Sequence, residues 1–295
     1  MDKKRIKKRV PLELTHYTTL DGFMGIVKDQ EIWASEATFL NDRQEIAHGL
    51  EGAKEFLCKI TSDPEIAEKI ILSLDLGTTV KVEKLTESAK KLLDNIEDGE
   101  IPSVYVACFS EENDSLSQWR AYGKQQGIAI TLETDGFQTK NRLEHARLIS
   151  VAYCDKVEGD FFHKDLIKEL QNYAYLHALG FPDENEVKNL EIFLYSLIAK
   201  FKHQGFEKEA EWRVVSMNED RIHFRNVGNH LIPYVPLKNG DQPLPIAKVM
   251  IGPGHDQNLT MRSVKKFLQT YGSKSSQGNI SDIPVEISKI PYRAF

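Results

Sequence analysis

Three cysteines in 295 residues, with no CxxC pair among them, are too few and too scattered for a disulfide framework or a thiolate metal site. Cys58, Cys108 and Cys154 read as reduced, buried small hydrophobes too far apart to pair, two of them inside β-like runs. The nine histidines form no HxH, HExxH or His/Cys cluster, so no metal is expected. A GxSxG elbow and a GxGxxG opening a βαβ unit are also missing, which disfavours a serine hydrolase and a dinucleotide fold of the doubly wound type. No apolar run reaches the roughly 20 residues that span a bilayer. The basic N-terminus leads into Pro11 and an alternating segment instead of an apolar signal core. These absences describe a soluble, cytoplasmic chain with no membrane partner.

What remains is ordinary globular material, 41% hydrophobic and 28% charged, able to bury a sizeable core. A net charge of −6 argues against wholesale wrapping by nucleic acid. The basic residues crowding positions 1–10 read as a solvated tail, with a local nucleic-acid contact as the alternative. Residues 1–295 are taken as a single domain, because strand-like segments recur on either side of two helical blocks.

Residues 12–18 alternate, with Leu14, His16 and Thr18 on one face and Glu13, Thr15 and Tyr17 on the other, the period of a strand. Leu20, Phe23, Ile26 and Val27 then recur at helical spacing behind Thr19, a good N-cap, and a short strand follows over 32–35. Residues 45–98 and 160–206 lose strand periodicity and read as helical insertions. Strands are expected over 103–109, 127–133, 148–153, 210–216, 231–236, 246–251 and 285–290, with a helix over 258–271. A short helix from Ser115 carries a capping-box pattern with Gln118 and has Gly123 at its end. The fold class is therefore α+β, one mixed, mostly antiparallel β core with two helical insertions.

The strand Glu209-Ala-Glu-Trp-Arg213 places Glu209, Glu211 and Arg213 on one face, where they read either as an ion network or as the lining of a cleft. His16 reads as a core histidine in need of a partner, or as a ligand-holding group. Asn41 and Asp42 follow the second strand and either cap the next helix or line a site. Trp119 and Tyr122 lie three apart on the short helix; Trp119 reads first as packing, whereas Arg120 and Tyr122 stand where a phosphate or a stacked ring would be met. Gly252-Pro-Gly-His-Asp256 reads as a turn with an N-cap, since it lacks the lysine of a phosphate-binding loop.

In combination, His16-Tyr-Thr18, Leu40-Asn-Asp42, Cys108-Phe-Ser110, Trp119-Arg-Ala-Tyr-Gly123, Glu209-Ala-Glu-Trp-Arg213, Val249-Met-Ile-Gly-Pro253 and the closing Ile287-Ser-Lys-Ile-Pro-Tyr-Arg293 resemble the bacterial family DUF2971, over residues 12–293. That resemblance implies a distant similarity to ADP-ribosyltransferase-like folds, hence a possible NAD-using enzyme of a bacterial stress or phage-defence system. On that similarity Glu211, His16 and Tyr122 take the catalytic places. His16, Tyr17, Asn41, Asp42, Trp119, Arg120 and Arg213 bind the nucleotide-like ligand, and a nucleic acid or protein is the acceptor. Bond cleavage at the nicotinamide ribose passes through an oxocarbenium-like state that a carboxylate stabilises. The alternatives are a metal-dependent nuclease using Asp42, Glu45, Glu209 and Glu211, and a non-catalytic nucleotide-sensing module. All of these predict that His16, Asn41, Asp42, Arg120, Tyr122, Glu211 and Arg213 converge on one concave surface.

Overall fold

The computed structural model describes residues 10–39, 43–65, 68, 86, 90, 93–96, 103–123, 126–134, 146–153, 199–217, 221–271, 274–275, 278–279 and 283–292. The chain opens with strand β1 (Glu13–Thr19), helix α1 (Leu20–Asp29) and strand β2 (Glu31–Glu36). Thr19 caps α1 as its position demands, its hydroxyl accepting the Gly22 N–H at 3.2 Å. Gln30 ends the helix in the left-handed region at φ 54, and its N–H closes on the Ile26 carbonyl at 3.0 Å.

Helix α2 (Arg43–Ser62) opens the first helical block, and β3 (Tyr105–Ser110), α3 (Leu116–Tyr122), β4 (Gly127–Glu133), β5 (Ala146–Ser150) and β6 (Ala152–Tyr153) follow. Next come β7 (Phe201–Lys202), a 3-10 turn (Gln204–Glu209) and β8 (Glu211–Ser216). The C-terminal part comprises β9 (His223–Val227), β10 (His230–Lys238), β11 (Ile246–Ile251), α4 (Gln257–Tyr271), β12 (Lys274–Ser275), β13 (Gly278–Asn279) and β14 (Val285–Ile287).

Ten strands form one sheet in the order β14-β11-β4-β1-β3-β2-β10-β9, with β8 on the other edge of β3 and β5 beyond it. Only β11 and β14 run parallel within it, so the fold is α+β around a mixed, mostly antiparallel sheet. One face packs Leu14, Ile128, Ile130, Val249 and Ile251 against Phe23 and Val27 of α1 and Val264 and Leu268 of α4. Burial of each such large aliphatic or aromatic side chain contributes about 1.5–3 kcal/mol. The opposite face of β1 and β4 is covered by α3, through Tyr17, Trp119, Ala129 and Met250. Thr15 and Tyr17, assigned by alternation to the face away from the core, are therefore buried as well.

The sheet forks at β3. Its one edge carries β8 along the whole strand, from Tyr105 opposite Ser216 to Ser110 opposite Glu211. Two strands share the other edge: β1 meets it at Thr15 opposite Ser110, and β2 at Ser35 opposite Val106. Between those contacts Ala107, Cys108 and Phe109 face a gap, and an antiparallel strand must satisfy its polar backbone there by other means.

The expected helical insertions are met in part. Helix α2 and the helical residues 93–96 lie in the first block, whose remainder falls outside the described residues. Residues 160–198 of the second block also fall outside, and residues 199–202 after them are turn and strand, with only a 3-10 turn beginning at Gln204. Phe201–Lys202 forms a parallel pair with Ala152–Tyr153, which fixes that segment as strand β7. Cys58 is exposed and Cys108 half-buried, both as free thiols, and Cys154 lies outside the described residues.

Candidate functional site

Strand β8 inherits an unusual start, because Ala210 sits in the left-handed region at φ 44 as the C-cap of the preceding 3-10 turn. The Ser110 hydroxyl donates to the Glu209 carbonyl at 2.6 Å and fixes that turn beside β3. From there alternation sends Trp212 and Val214 into the main core and Glu211 and Arg213 to the α3 side of the sheet.

Glu211 and Arg213 are not solvated. Arg213 is 1% exposed and Glu211 4%, so each charge requires compensation. Arg213 Nε donates to Glu211 Oε1 at 2.7 Å, its Nη2 to Oε2 at 3.3 Å and its Nη1 to the Ala199 carbonyl at 2.6 Å. The Lys202 ammonium, also buried, bridges Glu211 Oε2 at 2.8 Å and Glu209 Oε2 at 2.7 Å. The Glu211 N–H donates to the Tyr153 hydroxyl at 2.7 Å. Burial by itself pushes the Glu211 carboxyl up, but the nearby charges and hydrogen bonds of Arg213 and Lys202 outweigh it and hold the carboxyl down at about 2.

Cys108 and Tyr122 complete this cluster. Burial, reinforced by the Glu211 carboxylate to which the thiol donates, pushes Cys108 well above its ordinary value, so this sulfur is a weak nucleophile. Tyr122 is pushed up too, first by burial and then by Cys108, Glu209 and Glu211, with Lys202 opposing. Lys202 and Tyr153, which sequence reasoning did not single out, belong to the cluster through these contacts. Lys202 lay hidden in a segment read as helical, where a lysine beside a phenylalanine carries no signal of its own.

His16 stands apart. Thr15 pairs with Ser110 and Ser110 with Glu211, so those three share a face and His16 starts on the other one. The expectation that His16 and Glu211 line one surface is thus corrected. The register across β1, β3 and β8 keeps opposed residues on a common side, and residue 16 is one position out of step. Its imidazole turns into the fork instead. Nδ1 lies 2.9 Å from the Cys108 carbonyl, one of the backbone groups the diverging strands leave uncovered, and the ring packs 5.6 Å from Phe109. Burial lowers the proton affinity of His16, the Cys108 hydrogen bond opposes, and the positive charge of Arg225 lowers it further. The ring is neutral near pH 7 and donates through Nδ1.

The remaining candidates divide. Trp119 is a packing residue: its Nε1 donates to Asp114 Oδ1 at 2.8 Å, and its ring meets Tyr17 edge-on at 4.7 Å. Gly127 and Gly252 lie so close to that indole that a Cβ would come within 2.9 Å and 2.7 Å of it. Tyr17 holds the loop before α3, donating to the Glu112 carbonyl at 2.7 Å and accepting the Ser115 N–H at 3.0 Å. Neither side chain is available to a ligand, a second correction. Arg120 is exposed on the outside of α3 with its guanidinium 5.1 Å from the Tyr292 ring, placing it against the C-terminal segment. Asn41 and Asp42 lie outside the described residues.

Residues 118–214 match a family described as proteins of unknown function, DUF2971. Over that stretch the chain is similar to the DUF2971 family. The DUF2971 match runs from α3 into β8, so it contains Trp119, Arg120, Tyr122, Glu211 and Arg213 but neither His16 nor Asn41 and Asp42. No curated protein and no solved structure matches the chain. No helix among the described residues is long and apolar enough to cross a membrane.

Proposed function

We propose that this chain is a nucleotide-binding protein whose ligand enters the fork between β1 and β2 and is held in part by His16. The observation that supports it is the fork itself: a strand whose edge is left open between two diverging neighbours, with a neutral, partly exposed imidazole set into the gap. Crevices where strands part company are common ligand sites, because they bring side chains from several strands to one place without a packed core between them. NAD and ADP-ribose are the ligands that the family resemblance puts first. The test is a thermal-shift and calorimetric titration with NAD, ADP-ribose and ATP, because a ligand that binds only the folded state raises its stability by mass action. We expect stabilisation by at least one of the three and a loss of tenfold or more in affinity for His16→Ala. Absence of binding to the wild-type chain would remove the reading.

A second reading, ADP-ribosyl transfer with Glu211 as the stabilising carboxylate, has one observation in its favour. Glu211 stays ionised across the physiological range, and a cation already rests on its Oε2. A nicotinamide ribose developing positive charge would replace Lys202 charge for charge. Against it stand the burial of Glu211 and its position across the sheet from His16. Nicotinamide release from NAD by the wild-type chain, abolished in Glu211→Gln at equal folded concentration, would establish this reading over simple binding. The two-carboxylate nuclease is the least supported of the three, since the Lys202 ammonium stands between Glu209 and Glu211 where a divalent cation would bind.

A further inference from the structure

Strand β9 escaped the sequence reading, although Gly228-Asn229 between two alternating runs is a hairpin signal and Gly228 does take φ +61. It brings one charged residue onto the sheet. In register, Arg225 lies opposite Ile232 of β10, and His223 lies opposite Tyr234, which in turn lies opposite Ser35 of β2. Arg225, His223, Tyr234, Ser35 and Trp33 therefore share one face. The arginine is laid across β10, a reach of roughly 10 Å or two strand spacings, to donate from Nη2 to the Ser35 hydroxyl at 2.7 Å.

Its environment is aromatic, not acidic. The guanidinium carbon lies 5.9 Å from the Trp33 ring centre; Trp33 stacks on Tyr234 at 4.4 Å, and His223 stacks on the far side at 5.6 Å. Among the described residues no carboxylate forms an ion pair with Arg225. Its Nε is buried and has no hydrogen-bond partner among the described residues. A guanidinium carries five N–H donors and cannot shed its charge, so an orphaned buried Nε is a cost that calls for a reason. Ser35 pairs with Val106 on the stretch of β3 next to the fork, which brings Arg225 to the fork from the Cys108 side of the sheet, opposite the strand face on which His16 starts, while its charge still reaches the neutral imidazole turned into the gap.

We propose that Arg225, steadied by Ser35 and Trp33, is the anion-binding residue of the fork and takes a phosphate group of the ligand. A guanidinium fixed in its plane by a hydroxyl on one nitrogen and a ring against its face offers its remaining N–H groups in the paired geometry that a phosphate accepts. The phosphate supplies the negative charge that the fold does not. This inference extends the nucleotide reading to a particular part of the ligand, but it stands or falls on its own measurement.

The experiment is a calorimetric and phosphorus-NMR titration of the full chain with inorganic pyrophosphate, with succinate as a carboxylate control. Wild type, Arg225→Gln, Arg225→Lys and Ser35→Ala are compared, each with its unliganded melting curve. We expect pyrophosphate to bind wild type, Arg225→Gln to lose tenfold or more in affinity without a lower melting temperature, Arg225→Lys to recover part of it, and Ser35→Ala to weaken binding severalfold. No pyrophosphate binding by wild type, equal binding by Arg225→Gln, or equal binding of succinate would overturn the assignment. ADP-ribose that binds Arg225→Gln as tightly as wild type would overturn Arg225 alone and leave the nucleotide reading in place. Pyrophosphate binding without any nucleotide binding would do the reverse.

Discussion

Two arginines on successive strands of one sheet show how differently a fold can treat the same charge. Arg213 on β8 is sealed in and its guanidinium is matched by the Glu211 carboxylate and the Ala199 carbonyl. Arg225 on β9 is half-buried among rings, holds one serine hydroxyl and has an Nε with no partner among the described residues. A charge whose partners are all internal belongs to the architecture, and removing it leaves the partners stranded. A charge supported but left without a counter-ion is held for something that arrives from outside.

The strongest way to break this contrast is Arg213→Met, which takes from the buried Glu211 carboxylate the guanidinium that meets both of its oxygens. We expect a loss of about 3–5 kcal/mol in denaturant unfolding, the scale of a buried pair with one partner removed. A loss under 1 kcal/mol would show that the cluster is dispensable to the fold. Glu211→Gln comes next, at about 3 kcal/mol near neutral pH, and it carries a pH signature. The folded carboxyl at about 2 lies below its unfolded value of 4.5, so the unfolded chain binds the proton more tightly. The stability from Glu211 is therefore whole above about pH 5 and is lost as pH falls toward 2. Wild type should lose about 3 kcal/mol more than Glu211→Gln over that interval, and parallel curves would show that Glu211 is not held down.

A smaller effect sharpens the picture from the backbone side. Ala210→Gly relieves a left-handed alanine at the entry to β8 and should raise stability by about 1 kcal/mol in the same assay. The smallest effect belongs to the other arginine. Arg225→Gln should change stability by no more than about 0.5 kcal/mol, or raise it slightly, as expected for a group kept for binding at some cost to the fold. A loss above 2 kcal/mol would place Arg225 with Arg213 as architecture.

Much of the first half of the sheet was legible because local and tertiary demands agree there. Thr19 caps α1 as its hydroxyl and position imply, and residues 127–133 form β4 over the same span that alternation predicts. The capping box at Ser115 failed for a reason no local pattern contains. The Ser115 N–H, which Gln118 would have had to reach, is taken by the Tyr17 hydroxyl from a strand 98 positions away. Ser115 Oγ turns to Ser117 at 2.9 Å instead, and Gly123 ends the helix in ordinary helical conformation at φ −77. That Glu211 and Arg213 share one face of β8 follows from alternation alone. The separation of His16 from them does not, since the register linking β1, β3 and β8 is settled by pairings far apart in sequence. Arg225 went unseen because its isolation is a property of its neighbours, and a lone arginine on a polar strand looks like any other.

The contact between Trp119 and the two glycines, from three separate stretches of chain, has a consequence for inheritance. With Gly127 and Gly252 pressed against the indole, a methyl group at either place leaves no room for it. The three positions therefore form one unit of variation. Descendants that enlarge a glycine should be found with a smaller ring or none at 119, and substitutions tried singly at any of the three should fare worse than those made together.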